Sequence, residues 1–208
     1  MDSWPGRGSG RRWWPVAVLP VLLAAAVATG CAGDEPEGTG KRPGSAGTAQ
    51  PQVPAGFTPA AAGPVRIVHP SDWKPAEPPE GWSFLADLTG GGEVEARIGV
   101  ITDVPQIPNA KLVTESAITV VQLNLGEVRR GPNREIDVPG ADEAFRVDYS
   151  YPNPQARAGA AAGAQLKAVD IGLIIGDRQS AVVRLTGLPS RLTPALVDRI
   201  VRGIAVKP

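Results

Sequence analysis

Between Pro64 and Pro208 the apolar residues recur mostly at every second position, the spacing that puts one side of a β-strand into a core. Val65 to His69 reads as a short strand ended by Pro70, with Ser71-Asp72 turning the chain towards Trp73. A proline-rich loop spans Lys74 to Gly81. Trp82, Phe84, Ala86 and Leu88 then alternate with Ser83, Leu85 and Asp87. Gly90-Gly91-Gly92 supplies a hairpin turn. Beyond it Val94, Ala96, Ile98 and Val100 alternate with Glu93, Glu95 and Arg97, so the two strands are expected to pair antiparallel.

The period changes between Val113 and Leu125. Ala117, Val120, Val121, Asn124 and Leu125 share one face of a helix, with Thr114 or Asn109 as the cap and Gly126 as the stop. The run Ile118-Thr119-Val120-Val121 also suits a strand, because β-branched side chains are stiff in helices. Glu127 to Val138 reads as a weak strand broken at Gly131-Pro132-Asn133, and Pro139-Gly140 as a turn. Phe145, Val147, Tyr149 and Tyr151 mark another strand, and Gln155 to Ala164 a loop. Leu166 to Ile175 and Ser180 to Leu188 are the most apolar strands, joined by a tight turn at Gly176-Asp177. The first is apolar on both faces, which predicts a central strand covered on both sides. A closing helix has Thr193 as its cap, Pro194 at its first position, and an apolar stripe of Leu196, Val197, Ile200, Val201 and Ile204. Leu192 is placed to staple onto Val197. The sum predicts an α+β domain: an antiparallel sheet with helices packed on its faces.

The first 63 residues have a different pattern. Arg7, Arg11 and Arg12 precede an apolar run from Trp13 to Val27, which Pro15 and Pro20 interrupt and which is shorter than the roughly 20 residues of a permanent membrane span. Ala28-Thr29-Gly30 then leads to Cys31, the one cysteine in the chain. A small-residue triplet directly before a cysteine resembles the lipobox of bacterial lipoproteins, although Ala28 stands where leucine is usual. That resemblance implies cleavage before Cys31 and lipidation of its thiol, with residues 1–30 a signal peptide. The alternative is ordinary cleavage near Gly30, leaving a free thiol. Arg11-Arg12 has a twin-arginine look, but the general secretory route is the expectation. Two or more acyl chains on one residue suffice for stable membrane attachment. From Ala32 to about Gly63 the composition turns to Gly, Pro, Ala, Ser and Thr, too poor in apolar area to offset ordering entropy, so residues 31–63 read as a lipidated cysteine and disordered tether. Residues 64–208 form the globular domain.

The strand ending in His69-Pro70-Ser71-Asp72-Trp73, the hairpin, the midway helix, the turn Val138-Pro139-Gly140-Ala141-Asp142-Glu143-Ala144, two long strands and a final helix resemble the PsbP-like fold, an α/β/α sandwich. With the lipobox and tether, the chain is similar to actinobacterial LpqN-type lipoproteins. The resemblance implies accessory, assembly or binding roles, and transfers no catalytic residue.

Charge and candidate chemistry narrow this further. The chain has 21 Lys plus Arg against 21 Asp plus Glu and no basic run, which argues against nucleic acid as a partner. His69 is the single histidine, so motifs needing two are excluded, and its place before a proline at a strand end points to a structural role. Ser116, Ser150 and Ser180 lie in no nucleophile elbow. Glu93 with Glu95 reads as a solvated strand face, and Asp142-Glu143 lacks calcium-loop spacing. Gly90 to Gly92 lacks the lysine and helix of a phosphate loop. Arg129-Arg130 reads as a solvated strand end or a contact for lipid headgroups. No catalytic residue, metal ligand or cofactor is expected. Trp73, Trp82, Phe84, Phe145, Tyr149 and Tyr151 suit a core, with Trp73, Tyr149 and Tyr151 the candidates for a partner or ligand surface. The expectation is a non-catalytic adaptor lipid-anchored at the outer face of the cytoplasmic membrane and binding another envelope protein. The alternative is a carrier or sensor holding a lipid or other apolar molecule between sheet and helix.

Overall fold

A computed structural model describes residues 53–104, 107–154, 164–176 and 179–207. Cys31, the signal segment, the tether up to residue 52, the loop at 155–163 and Asp177 lie outside the described residues.

The domain is α+β, as its pattern predicts. A seven-stranded antiparallel sheet has the order β3 (Lys74–Pro75), β4 (Phe84–Gly90), β5 (Glu93–Val104), β9 (Gln179–Gly187), β8 (Gln165–Ile175), β7 (Glu143–Pro152) and β6 (Arg129–Glu135). A smaller antiparallel sheet has the order β1 (Phe57–Ala62), β2 (Val65–Pro70) and β10 (Ala205–Val206). Helix α1 (Ala110–Leu125) packs on β7, β8 and β9, and helix α2 (Pro194–Arg202) packs beside β2.

Side-chain alternation on the large sheet separates two cores. Val169, Ile171 and Leu173 of β8, Ala181, Val183 and Leu185 of β9 and Ile98 and Val100 of β5 meet the small sheet and α2 through Val65, Ile67, Val197 and Ile200. On the opposite face, Phe145, Val147, Tyr149, Tyr151 and Ala168 pack against Ala110, Ile118 and Val121 of α1. The large sheet therefore has a helix on one side and a layer shared by α2 and the small sheet on the other. β9 is the middle strand, and β8 beside it is covered on both faces.

Local chemistry sets the boundaries. Gly91 and Gly92 both have positive φ, 59° and 85°, and close the two-residue β4–β5 turn. Asn109 caps α1, its side chain accepting from the Leu112 amide at 2.9 Å, so the helix begins three residues before Val113. Thr193 caps α2, with Pro194 in its first turn. Leu192 and Val197 are both buried in the same core. Trp82 lies outside β4, and its ring covers Gly99. The break expected at Gly131-Pro132-Asn133 is a register shift within the β6–β7 pairing, the form a proline takes when tolerated near a sheet edge.

Strand β1 falls inside the stretch that composition assigns to the tether. Of its six residues only Ala62 is buried. The strand is held by pairing with β2, from Phe57 opposite Pro70 to Ala62 opposite Val65, by half-buried Phe57 and Ala60 packing against the core, and by Arg199 stacking 4.8 Å from the Phe57 ring centre. Backbone pairing of this kind leaves no mark on composition.

Candidate functional site

The α1-covered face of the large sheet carries charged and hydroxyl groups across five strands. Cross-strand register brings Asp87 of β4 opposite Arg97 of β5, Arg97 opposite Thr186 of β9, Arg184 of β9 opposite Asp170 of β8, and Val147 of β7 opposite Asp170. Asp87 accepts two hydrogen bonds from Arg97, both at 2.7 Å. Asp170 accepts from Arg184 Nε at 2.8 Å and Nη2 at 2.6 Å, and from the Tyr149 hydroxyl at 3.2 Å. Arg184 Nη2 also donates to the Ala117 carbonyl at 3.0 Å, which ties α1 to the sheet. Tyr151 bonds Thr186 and stacks on Tyr149, with ring centres 6.0 Å apart. Beside it the face opens into a hollow of about 140 Å³ bordered by Arg97, Tyr151, Asn153, Leu166 and Thr186.

The electrostatics follow from burial and pairing. Burial would pull Arg184 down, but the charge and hydrogen bonds of Asp170 outweigh it, and its guanidinium is held protonated beyond the ordinary arginine range. The hydrogen bond to Asp87 likewise raises Arg97. Burial pushes both phenols up, Tyr149 further than Tyr151, with the Asp170 charge adding to the effect on Tyr149. A raised phenol favours the neutral folded form, so the stability it lends is full below the unfolded value of about 10 and is lost as pH rises towards the folded value. These are the chain's two tyrosines. In a spectrophotometric titration the native protein should show clearly less phenolate at about pH 10 than two free tyrosines, each of which is half ionised there. Phenolate should appear together with loss of the circular dichroism signal. A smooth two-tyrosine titration near that pH with the fold intact would contradict this placement.

The sequence candidates fall elsewhere than a surface. Trp73, Tyr149 and Tyr151 are 2%, 3% and 6% exposed. Trp73 belongs to the core on the α2 side and the two tyrosines to the core under α1, so the sheet separates them and no shared surface forms. Their apolar rings decide this: Tyr149 and Tyr151 occupy β7 positions that face a covering layer, and Trp73, in the turn between β2 and β3, folds into the opposite core. His69 is buried, with Nδ1 2.9 Å from the Pro70 carbonyl and its ring 5.7 Å from Phe84. Ser116, Ser150 and Ser180 lie on three elements, α1, β7 and β9. Glu93 is exposed, but Glu95 is paired with Arg191 at 2.7 Å and so is more than a solvated face. Arg129 pairs with Glu127 at 3.2 Å and Arg130 with Glu115 of α1. Among the described residues no group of three His, Cys, Asp or Glu is placed to hold a metal ion, and no helix is long and apolar enough to cross a membrane.

Two features were missed by reading along the sequence. One is the Asp170–Arg184 pair, whose signal is an acid in the middle of one of the two most apolar strands and a base in the middle of the other. The other is the outward side of α1. Leu112, Val120 and Leu123 are 45%, 56% and 80% exposed there, while Val113, Ile118 and Val121 are buried on the inner side. The helix is apolar on both sides, although only one side meets the sheet.

No family model matches this chain, and no curated protein does. Among solved structures, a protein from Bacteroides thetaiotaomicron is similar over 73% of this chain and 48% of its own, with 10% identity and a TM-score of 0.42. A Pseudomonas aeruginosa protein of unknown function is similar over 65% of this chain and 85% of its own, with 16% identity and a TM-score of 0.38. The chain spans about half the length of the first. At these values neither likeness assigns a function.

Proposed function

We propose that this chain is an extracytoplasmic lipoprotein, held at the outer face of the cytoplasmic membrane by lipidated Cys31, whose domain acts as a non-catalytic adaptor for another envelope protein. The observation that carries the adaptor reading is the exposed apolar side of α1. Leu112, Val120 and Leu123 stand on a helix whose inner side is already packed, and an apolar helix surface in water is the raw material of a protein contact. The anchor rests on Arg7, Arg11, Arg12, the apolar run and the small residues before Cys31. The alternative, a carrier holding a lipid between sheet and helix, needs room that Ile118, Val121, Phe145, Val147 and Tyr149 fill.

The test is a photo-crosslinking amino acid at Leu123 in the full chain, with the same probe at exposed Glu77 as control, each with and without Cys31→Ala. A discrete protein adduct from Leu123 alone, lost when Leu112 and Val120 become serine, is the expected result. Cys31→Ala should move the protein out of the membrane fraction. Adducts to lipid only, or equal adducts from both positions, would count against the adaptor. A Cys31→Ala protein that stays on the membrane would count against the anchor.

A further inference from the structure

A second hollow, of about 420 Å³, lies on the outer side of the small sheet. Its walls include Pro59 and Ala61 of β1, Arg66 and Val68 of β2, Val53 ahead of β1, and Gly203 after α2. Register explains why it exists. Pro59 pairs with Val68 and Ala61 with Arg66, so the short Ala61 on the edge strand stands next to the long Arg66 on its neighbour. Gly203 completes the wall. A Cβ there would lie 2.2 Å from Val68 Cγ2, so only a residue without a side chain lets the end of α2 come down against Val68. Val68 is 2% exposed, and Val53 on the rim is 46% exposed.

The lining is apolar apart from Arg66. Among the described residues this guanidinium has no carboxylate partner, in contrast to Arg97, Arg146, Arg184 and Arg191. Ligand sites typically occupy roughly 300–1,000 Å³ and combine apolar walls with a few polar groups that fix orientation. An apolar trough with one unpaired cation is complementary to a molecule with one apolar tail and one anionic end. We propose that this groove binds a free fatty carboxylate, its head group paired with Arg66 and its chain lying along Pro59, Ala61 and Val53, above the buried Val68. The groove is separate from the outer side of α1, so its failure as a site would leave the adaptor reading standing.

Calorimetric titration of the detergent-free full chain with dodecanoate, kept below its micelle concentration, tests this. One saturable site is expected. Arg66→Gln should weaken it about tenfold or more, the loss of a charge-assisted pair. Ala61→Trp fills the trough from a solvent-facing position and should abolish binding, while thermal melting checks that both variants fold. Absence of saturable heat would overturn the proposal, as would binding that Ala61→Trp leaves unchanged.

Discussion

Asp170→Ala is expected to lower the unfolding free energy by about 3–5 kcal/mol, which is the usual consequence of removing one partner of a buried ion pair. Asp170 is fully buried, and the Arg184 side chain is 12% exposed. Without the carboxylate, Arg184 keeps its charge but retains only its hydrogen bond to the Ala117 carbonyl, and the Tyr149 hydroxyl loses its acceptor. Domains of this size are stable by only about 5–15 kcal/mol, so the loss is a large fraction of the whole. Urea denaturation followed by circular dichroism reads it as a lower midpoint at unchanged slope. The double change Asp170→Leu with Arg184→Met should recover most of the loss, because a well-packed apolar pair often replaces a buried ion pair at little cost. Asp87→Ala is the comparison. Arg97 is 39% exposed and can turn to water, so the effect there should be clearly smaller. A cost at Asp170 no greater than at Asp87 would mean that the pair contributes little to holding the sheet.

The same pair shows which parts of the fold were legible in advance. The strands β2, β4, β5, β7, β8 and β9, the glycine hairpin, the Asn109 and Thr193 caps and the two-sided burial of β8 are recorded locally, in alternation, turn residues and cap residues, whereas β3, inside the expected Lys74 to Gly81 loop, and β10 are two-residue pairings with no such pattern. The order of strands is not local. β9 stands between β5 and β8 because of long-range pairing, and only that order brings Arg184 beside Asp170. Strand β1 escaped notice for a related reason: Thr58, Pro59, Ala60 and Ala61 carry almost no strand signal, and β2 imposes their conformation. The aromatic candidates show a third limit. Tyr149 and Tyr151 alternate correctly on β7, but periodicity gives the face and not what covers it. The exposed side of α1 was hidden by the reverse ambiguity. Its apolar residues run round the helix, and Val120, read as part of the inner face, points outward.

Gly172→Val should loosen α1 while leaving the far side of the sheet intact. On Gly172 a Cβ would lie 2.6 Å from the Ala110 carbonyl oxygen, 3.0 Å from Thr114 Cγ2 and 3.1 Å from Val113 Cβ. Backbone and short branched side chains have little freedom to give way, so the first turn of the helix must rise off β8. That turn is also fixed by the Asn109 cap and by Glu143, whose Oε2 accepts from the Ala110 amide at 3.0 Å, and lifting it strains both. Overpacking of this kind costs about 1–3 kcal/mol. The cost should fall unevenly, because α1 packs mainly on β7, β8 and β9 on one face, whereas the core on the other face is sealed by α2 and the small sheet. Hydrogen exchange should therefore quicken in Ala110–Leu125 and change little in β4 and β5. Uniform acceleration along the chain would show that α1 does not move as a separate unit. If α1 does loosen alone, Leu112, Val120 and Leu123 move with it, and the Leu123 crosslink should weaken in a protein whose sheet remains folded. That pairing separates a contact made by the helix surface from one made by the domain at large.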